Sequence, residues 1–282
     1  MTFTSYNQFM SDLYRGGIEF AVSHSAKLGF SGVEFLDFFH TGNPPLNKEK
    51  YPAVEVRASL EKHGLSVDCY SVYAYVLGDG SEDFERQMYE IIDYAASVGA
   101  KHFHHTLMAF LKLGVEIQKY EDIFPRVLEF EKKIVKYCSE RGLRCIFEPQ
   151  GFYFNGVSGL SRIILALRED FPDVGLCADL GNPVLVDCDP GDVVDALSFC
   201  IAHVHIKDYI IADAPLEGKK PMLSRGGKNL YEVLPGEGEI DLGACLKKIK
   251  AAGYDGRIAL EYLGDDETII KSMQYITKLW EK

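Results

Sequence analysis

LRCIFEPQGFYFNGVSGLSRIILALREDFPDVGLCADL, residues 143–180, holds two β-rich runs on either side of an amphipathic one. LRCIFEP (143–149) has the short, apolar and β-branched character of a buried strand, and VGLCADL (174–180) repeats it. Between them GLSRIILALREDF (159–171) places Ile, Leu and Ala at helical spacing. Two strands joined by a helix of this length lie parallel in one sheet, with the helix packed on its face. Each strand also ends on an acid after an apolar run: Glu148 in the first, Asp179 in the second.

The same unit recurs along the chain. Upstream are TFTSYN near residue 2 with a helical pattern to residue 30, GVEFLDF (32–38) with VEVRASLEKHGL (54–65), SVDCYSVYAYV (66–76) with FERQMYEIIDYAASVGA (84–100), and KHFHHTL (101–107) with a helix from Tyr120 to Arg141. Downstream are PGDVVDALSFC (190–200), the strand IAHVHIKD (201–208), an irregular stretch rich in Gly, Lys and Pro, the helix LGACLKKIKAAGY (242–254), the strand RIALEYL (257–263) and the helix DETIIKSMQYITKLW (266–280). Eight β-then-α units with no break in composition predict one α/β domain over residues 1–282, a single (β/α)8 TIM barrel, since eight such units close a parallel sheet. The competing open, doubly wound sheet usually carries a Gly-rich phosphate loop after its first strand, and no GxGxxG is present.

Of the 282 residues 47% are hydrophobic and 26% charged, which suits a soluble domain with a large core. A formal net charge of −12 and a pI near 5.2 argue against nucleic-acid or anionic-membrane partners, which call for a basic face, and favour a small ligand. The seven cysteines are an odd number, widely spread, without CxxC or zinc-finger spacing, and are read as reduced, mostly buried thiols of a cytoplasmic protein. The opening MTFTSYNQFMSDLYRGG lacks the charged start and apolar core of a secretory leader, and no apolar run reaches the length of a membrane span.

In a barrel of this kind the site is built at the C-terminal ends of the strands. The fifth strand ends in Glu148, the sixth in Asp179, the seventh in His205 with Lys207 and Asp208 behind it, and the eighth in Glu261. Residues two apart share a face, so Ile146 goes with Glu148, Cys177 with Asp179 and Ala259 with Glu261; these partners fit a narrow barrel interior. Three converging carboxylates and an imidazole repel one another and lose hydration unless a divalent cation joins them. The oxygen-rich donor set favours one Mn²⁺, Mg²⁺ or Co²⁺ ion and admits Zn²⁺. As isolated groups, each of the four is an ordinary polar residue at a strand end.

FEPQG (147–151), CADLGNP (177–183), HVHIKD (203–208), PGEGEID (235–241) and GYDGRIALE (253–261) form a series. With these motifs the chain resembles the xylose isomerase-like TIM barrel superfamily, and within it the sugar phosphate isomerases/epimerases that include D-tagatose 3-epimerase-like enzymes. The resemblance is strongest over residues 143–263. It implies that Glu148, Asp179, His205 and Glu261 bind one divalent metal and that Glu148 and Glu261 are the catalytic acid/base pair. The implied activity is isomerisation or epimerisation of a sugar or sugar phosphate by proton transfer through an enediolate. Two departures bear on the substrate: Asn182 stands where members commonly have a histidine, and PQGFYFNG (149–156) lacks the Asn-Arg and further glutamate of typical ketohexose epimerases. Alternatives on the same fold are an inosose dehydratase-type lyase and an endonuclease IV-type repair enzyme. The latter is disfavoured by the acidic surface and by Asn182 in place of an expected zinc-binding histidine.

Lys207, Asn182 and His105 are the expected substrate-binding residues: Lys207 for a substrate oxygen or to offset the carboxylates, Asn182 for a hydroxyl, His105 as a pocket-lining group beside His104. Ion pairing and core packing are their plainer readings. His203, one pleat below His205, is read as hydrogen-bonded interior. The segment 209–234, long for a βα connection, is a candidate lid. Its Lys219, Lys220, Arg225 and Lys228 are read as a solvated basic loop, while Tyr73, Tyr75, Phe152 and Tyr153 can pack on sugar C–H faces. Homo-oligomerisation is compatible with the sequence and not specified by it.

Overall fold

The alternation of strands and helices closes into a barrel. The computed structural model describes residues 1–39, 41, 43–76, 82–107 and 119–282. The barrel strands are β1 (Phe3–Ser5), β2 (Gly32–Phe39), β3 (Ser66–Ala74), β4 (His102–His105), β5 (Arg144–Phe147), β6 (Gly175–Asp179), β7 (Ile201–Ile206) and, after three short strands, β11 (Ile258–Leu260). All pair in parallel, in the closed order β1-β11-β7-β6-β5-β4-β3-β2. The helices are α1 (Asn7–Leu28), α2 (Ala53–His63), α3 (Glu82–Ser97), α4 (Tyr120–Glu140), α5 (Gly156–Arg168), α6 (Pro190–Leu197), α7 (Leu242–Ala251) and α8 (Asp266–Glu281). Among the described residues no helix is long and apolar enough to cross a membrane.

Two apolar layers follow from the strand alternation. Outward-facing Val33, Phe35, Phe103, Phe147, Leu176, Val204 and Ile258 join Ile92, Ile163, Leu246 and Ile276 of the helices in one continuous core. Full burial of each such side chain is worth about 1.5–3 kcal/mol, so this layer dominates the stability. Inside the barrel, Cys69, Ile146 and Cys177 belong to a separate small cluster, as expected for residues facing a narrow interior. All seven cysteines are free thiols; six are buried and Cys188 is half-buried.

Local differences from the sequence reading have physical causes. Helix α1 begins at Asn7, directly after β1, and Gly17 (φ 78°) breaks it into two helical pieces. Helix α5 begins three residues earlier than its apolar pattern, where the Asn155 side chain accepts a hydrogen bond from the Gly156 N–H. The stretch read as irregular holds a three-stranded antiparallel sheet of β8 (Asp208–Ala212), β10 (Asn229–Val233) and β9 (Met222–Leu223), in that order.

That sheet is fixed to the barrel. Tyr209 and Leu230 pack with Val184 of the 3-10 turn Asn182–Val186 in a small core of their own. The Arg225 N–H donates to the Leu185 carbonyl (2.7 Å), and Asp187 accepts from the Ser224 hydroxyl and the Gly226 N–H (both 2.6 Å). Asp208, fully buried, gathers the PGEGEID loop by accepting from the N–H groups of Gly236 (2.8 Å), Gly238 (3.1 Å) and Ile240 (3.3 Å).

Candidate active site

Register determines which side chains meet at the C-terminal mouth. Asp179, the last residue of β6, is paired with His205 of β7, and His205 is paired with Ala259 of β11, two residues before Glu261. Glu148 follows the last residue of β5. From His205 Nδ1 it is 3.2 Å to Glu148 Oε2, 3.3 Å to Glu261 Oε2 and 3.8 Å to Asp179 Oδ2. The four residues expected as ligands therefore converge, each offering one donor atom, and those atoms lie within 4.8 Å of one another.

Lys207 stands on the same inward face, with Nζ 2.8 Å from Glu261 Oε1 and 3.3 Å from Asp179 Oδ2, and it donates to Asn182 Oδ1 at 3.1 Å. A side chain on Gly181 would strike the Lys207 Cβ at 2.5 Å, so only glycine lets the Asp179–Asn182 turn pass this close. The N–H groups of Gly181 and Asn182 donate to Asp179 Oδ1 at 2.7 and 2.6 Å, leaving Oδ2 for the cluster.

Electrostatics separates the carboxylates. Burial raises Glu148 and Glu261 above the ordinary glutamate range, against the pull of His205 and Lys207. Burial works in the same direction on Asp179, but Lys207, His205 and the Asn182 N–H together hold it below the usual carboxylate range. Glu148 Oε2, Asp179 Oδ2, Glu261 Oε2 and His205 Nδ1 are all buried with no hydrogen-bond partner. Four orphaned donors of this kind facing one point are costly by themselves and suit a divalent cation, so the residues present fit one.

Glu34, in the middle of β2, is a site residue that the sequence reading missed. It is fully buried, and its carboxylate takes His203 Nε2 at 2.8 Å and His205 Nε2 at 3.1 and 3.2 Å, while the Ser71 hydroxyl donates to it at 2.5 Å. Burial would raise Glu34, but the two imidazoles hold it well below the ordinary range. Glu34 therefore fixes which nitrogen His205 presents to the cluster, the second-layer arrangement usual behind a metal-binding histidine. The available signal was a glutamate in the middle of the apolar GVEFLDF.

His105 is a correction. On β4 it is His104 that turns inward, bonding Ser71 Oγ through Nδ1 (2.9 Å) with Nε2 3.4 Å from Glu148 Oε1. His105 faces outward, between the rings of Phe103 and Phe147, with Nε2 2.9 Å from Glu131 of α4. It does not line the pocket. Alternation forces one of two adjacent histidines away from the barrel interior.

A cavity of about 670 Å³ opens beside the cluster, lined among others by Tyr73, Gln150, Phe152, Asn182, Lys207, Tyr209 and Glu261. Of the aromatic candidates, Tyr73 and Phe152 reach it, whereas Tyr75 and Tyr153 pack on the main core.

A closed parallel barrel with acidic donors at the carboxyl ends of adjacent strands defines the class to which the protein belongs: TIM barrels with an enzyme-type mouth. More narrowly, the chain belongs to the xylose isomerase-like TIM barrel family, whose profile matches residues 22–279. Among characterised relatives it is 25% identical over 269 residues to the 2-oxo-tetronate isomerase of Haemophilus influenzae, covering 87% of each chain. It is 24% identical over 286 residues to an inosose dehydratase of Clostridium perfringens, covering 96% of this chain and 91% of that protein. Its fold is similar to 3-keto-D-glucoside 4-epimerase from E. coli (TM-score 0.73, 18% identity, 99% of each chain). It is also similar to a xylose isomerase-like TIM barrel protein of Mycobacterium smegmatis in complex with magnesium (0.72, 18%, 99% and 96%) and to the IOLI protein with a zinc atom (0.74, 14%, 100% and 98%).

Proposed function

We propose that the protein is a divalent-metal-dependent isomerase or epimerase of a sugar, with Glu148, Asp179, His205 and Glu261 holding one metal ion and Glu148 and Glu261 moving protons. The observation that carries this reading is the set of four buried donor atoms, mutually within 4.8 Å and without hydrogen-bond partners. Mn²⁺, Mg²⁺ and Co²⁺ suit the oxygen-rich set and Zn²⁺ is admissible; magnesium and zinc in structural neighbours support a divalent ion without choosing one. A cation held there would stabilise the negative charge that develops on a substrate carbonyl oxygen.

The side chains supply the rest. A carboxylate removes the proton next to the carbonyl, giving an enediolate, and burial keeps both glutamates basic enough to accept it. Return of a proton to the same carbon from the other face epimerises it, and delivery to the neighbouring carbon exchanges aldose and ketose. Lys207 and Asn182 orient substrate oxygens at the cavity wall. The relatives that are inosose dehydratases favour a second reading, in which the same proton abstraction is followed by loss of water.

Metal analysis should give about one ion per chain, and solvent deuterium should enter one of a panel of ketoses, aldoses and inososes. Glu261→Gln should lower that exchange by about 10²–10⁴-fold, the usual contribution of a positioned acid or base. Full exchange in Glu261→Gln removes the assignment of that residue, and a product lighter by one water selects the dehydratase reading.

A further inference from the structure

The cavity beside the carboxylate cluster has two dissimilar ends. Its inner end is polar, with Glu261, Lys207, Asn182 and Gln150. Its outer wall is apolar: Phe152 from the loop after β5, Leu185 from the turn after β6, and Met222 and Leu223 of β9. Met222 and Leu223, adjacent on β9 and both lining the cavity, are 43% and 45% exposed.

This wall is held in place. Arg225 joins its parts, with the backbone N–H on the Leu185 carbonyl (2.7 Å) and the guanidinium on the Phe152 carbonyl, its charge 5.9 Å from the Phe152 ring centre. Asp187, in a left-handed conformation (φ 56°), adds two hydrogen bonds to the same loop. Hydrogen bonds that fix the backbone of this loop hold its apolar side chains as a contact surface, and about 670 Å³ is more space than a single sugar ring occupies.

Charge narrows the choice further. The cations on the described lining are Lys207 and Lys220. Lys207 is already engaged by Asp179, Glu261 and Asn182, Lys220 is exposed, and the wall adds the acid Glu232. A phosphate dianion would meet carboxylates without a buried, uncommitted cation among these residues.

We propose that the substrate is an uncharged sugar that keeps a free carbonyl and carries an apolar substituent on another oxygen, with aryl and alkyl glycosides, which lack the carbonyl, as its unreactive binding analogues: the ring sits over the carboxylate cluster and the substituent packs on Phe152, Leu185, Met222 and Leu223. This rests on the sugar-enzyme reading above and names its substrate class.

The test is binding to the full chain supplied with Mg²⁺ or Mn²⁺, by calorimetry or saturation-transfer NMR, of D-glucose and D-galactose, their methyl and phenyl glycosides, and their 6-phosphates. Phenyl glycosides should bind about tenfold more tightly than methyl glycosides, the gain from burying part of one ring. Met222→Asp should remove most of that gain, and the 6-phosphates should bind more weakly than the parent sugars. Equal affinity for phenyl and methyl glycosides, tighter binding of a 6-phosphate, or a Met222→Asp variant that keeps the gain overturns the proposal. The general sugar reading is judged separately by solvent-deuterium exchange across the ketoses, aldoses and inososes, and absence of binding by every compound in the present set overturns this proposal alone.

Discussion

The two ends of the barrel use the same residue types to opposite effect. At the N-terminal floor Asp68, nearly fully buried, receives hydrogen bonds from the Thr4 hydroxyl and the Arg257 guanidinium, with Lys101 3.3 Å away, and Arg257 also donates to the Ser66 hydroxyl at 2.7 Å. One acid there meets two cations and a hydroxyl. At the mouth three carboxylates share Lys207 and an imidazole, and each leaves an oxygen without a hydrogen bond. The floor matches one acid to two cations and ties strands together, whereas the mouth gathers three carboxylates around one lysine and one imidazole, so the balance of charge among buried groups separates the two ends.

If that distinction holds, the largest stability loss should come from a paired set. His105 and Glu131 form one between β4 and α4, both fully buried and 2.9 Å apart. Glu131→Leu should cost about 3–5 kcal/mol in denaturant unfolding by stranding His105, and the double variant Glu131→Leu/His105→Leu should recover much of it. Burial alone would lower His105, but Glu131 raises it to about 10. A histidine raised in the folded state adds stability that is complete below its unfolded value near 6.5 and is lost as pH climbs to about 10. Wild type should therefore lose stability relative to the double variant between those limits, and parallel pH curves would show that the pair is not charged.

The floor comes next. Asp68→Ala leaves Arg257, which is partly solvated, without its carboxylate, and should cost about 2–3 kcal/mol by the same measurement with no change in metal affinity. A loss of metal binding in that variant would mean that floor and mouth are coupled through the strands.

Between the two ends lies Glu34, which supports the mouth in the way the floor supports the strands. Glu34→Gln should weaken divalent-metal binding by about 10–100-fold, read by calorimetry on the purified chain. Unchanged affinity would reduce Glu34 to a partner of His203.

How far these roles are legible in sequence depends on geometry. The barrel is, because eight strand-helix units leave few other packings. The convergence of Glu148, Asp179, His205 and Glu261 is legible too, because each follows apolar residues at a strand's C-terminal end, where alternation and register act together. Glu34 lies mid-strand, and its meaning depends on β7, distant in sequence. His104 and His105 differ only by strand phase, which HFHH does not disclose since Phe103 fits either face. The β8–β10–β9 sheet was read as irregular because it pairs segments across a Gly-, Lys- and Pro-rich connection whose register is set by Asp187 and Asp208, not by local pattern.

The smallest stability effect should be at the mouth, and of opposite sign. Glu148 is raised by burial, so its carboxylate is costly in the folded, metal-free protein, and a neutral amide of the same shape removes that cost while giving up attraction to His205. Glu148→Gln without added metal should be as stable as wild type or slightly more so, within about 0.5–1 kcal/mol. With a divalent ion present the order should reverse: wild type gains the stability that follows from binding a ligand to the folded state alone, and the variant gains much less. Thermal unfolding of both proteins with and without Mg²⁺ or Mn²⁺ measures both parts. A metal-free Glu148→Gln protein as damaged as Asp68→Ala would place the mouth carboxylates with the scaffold and remove the contrast between the two ends.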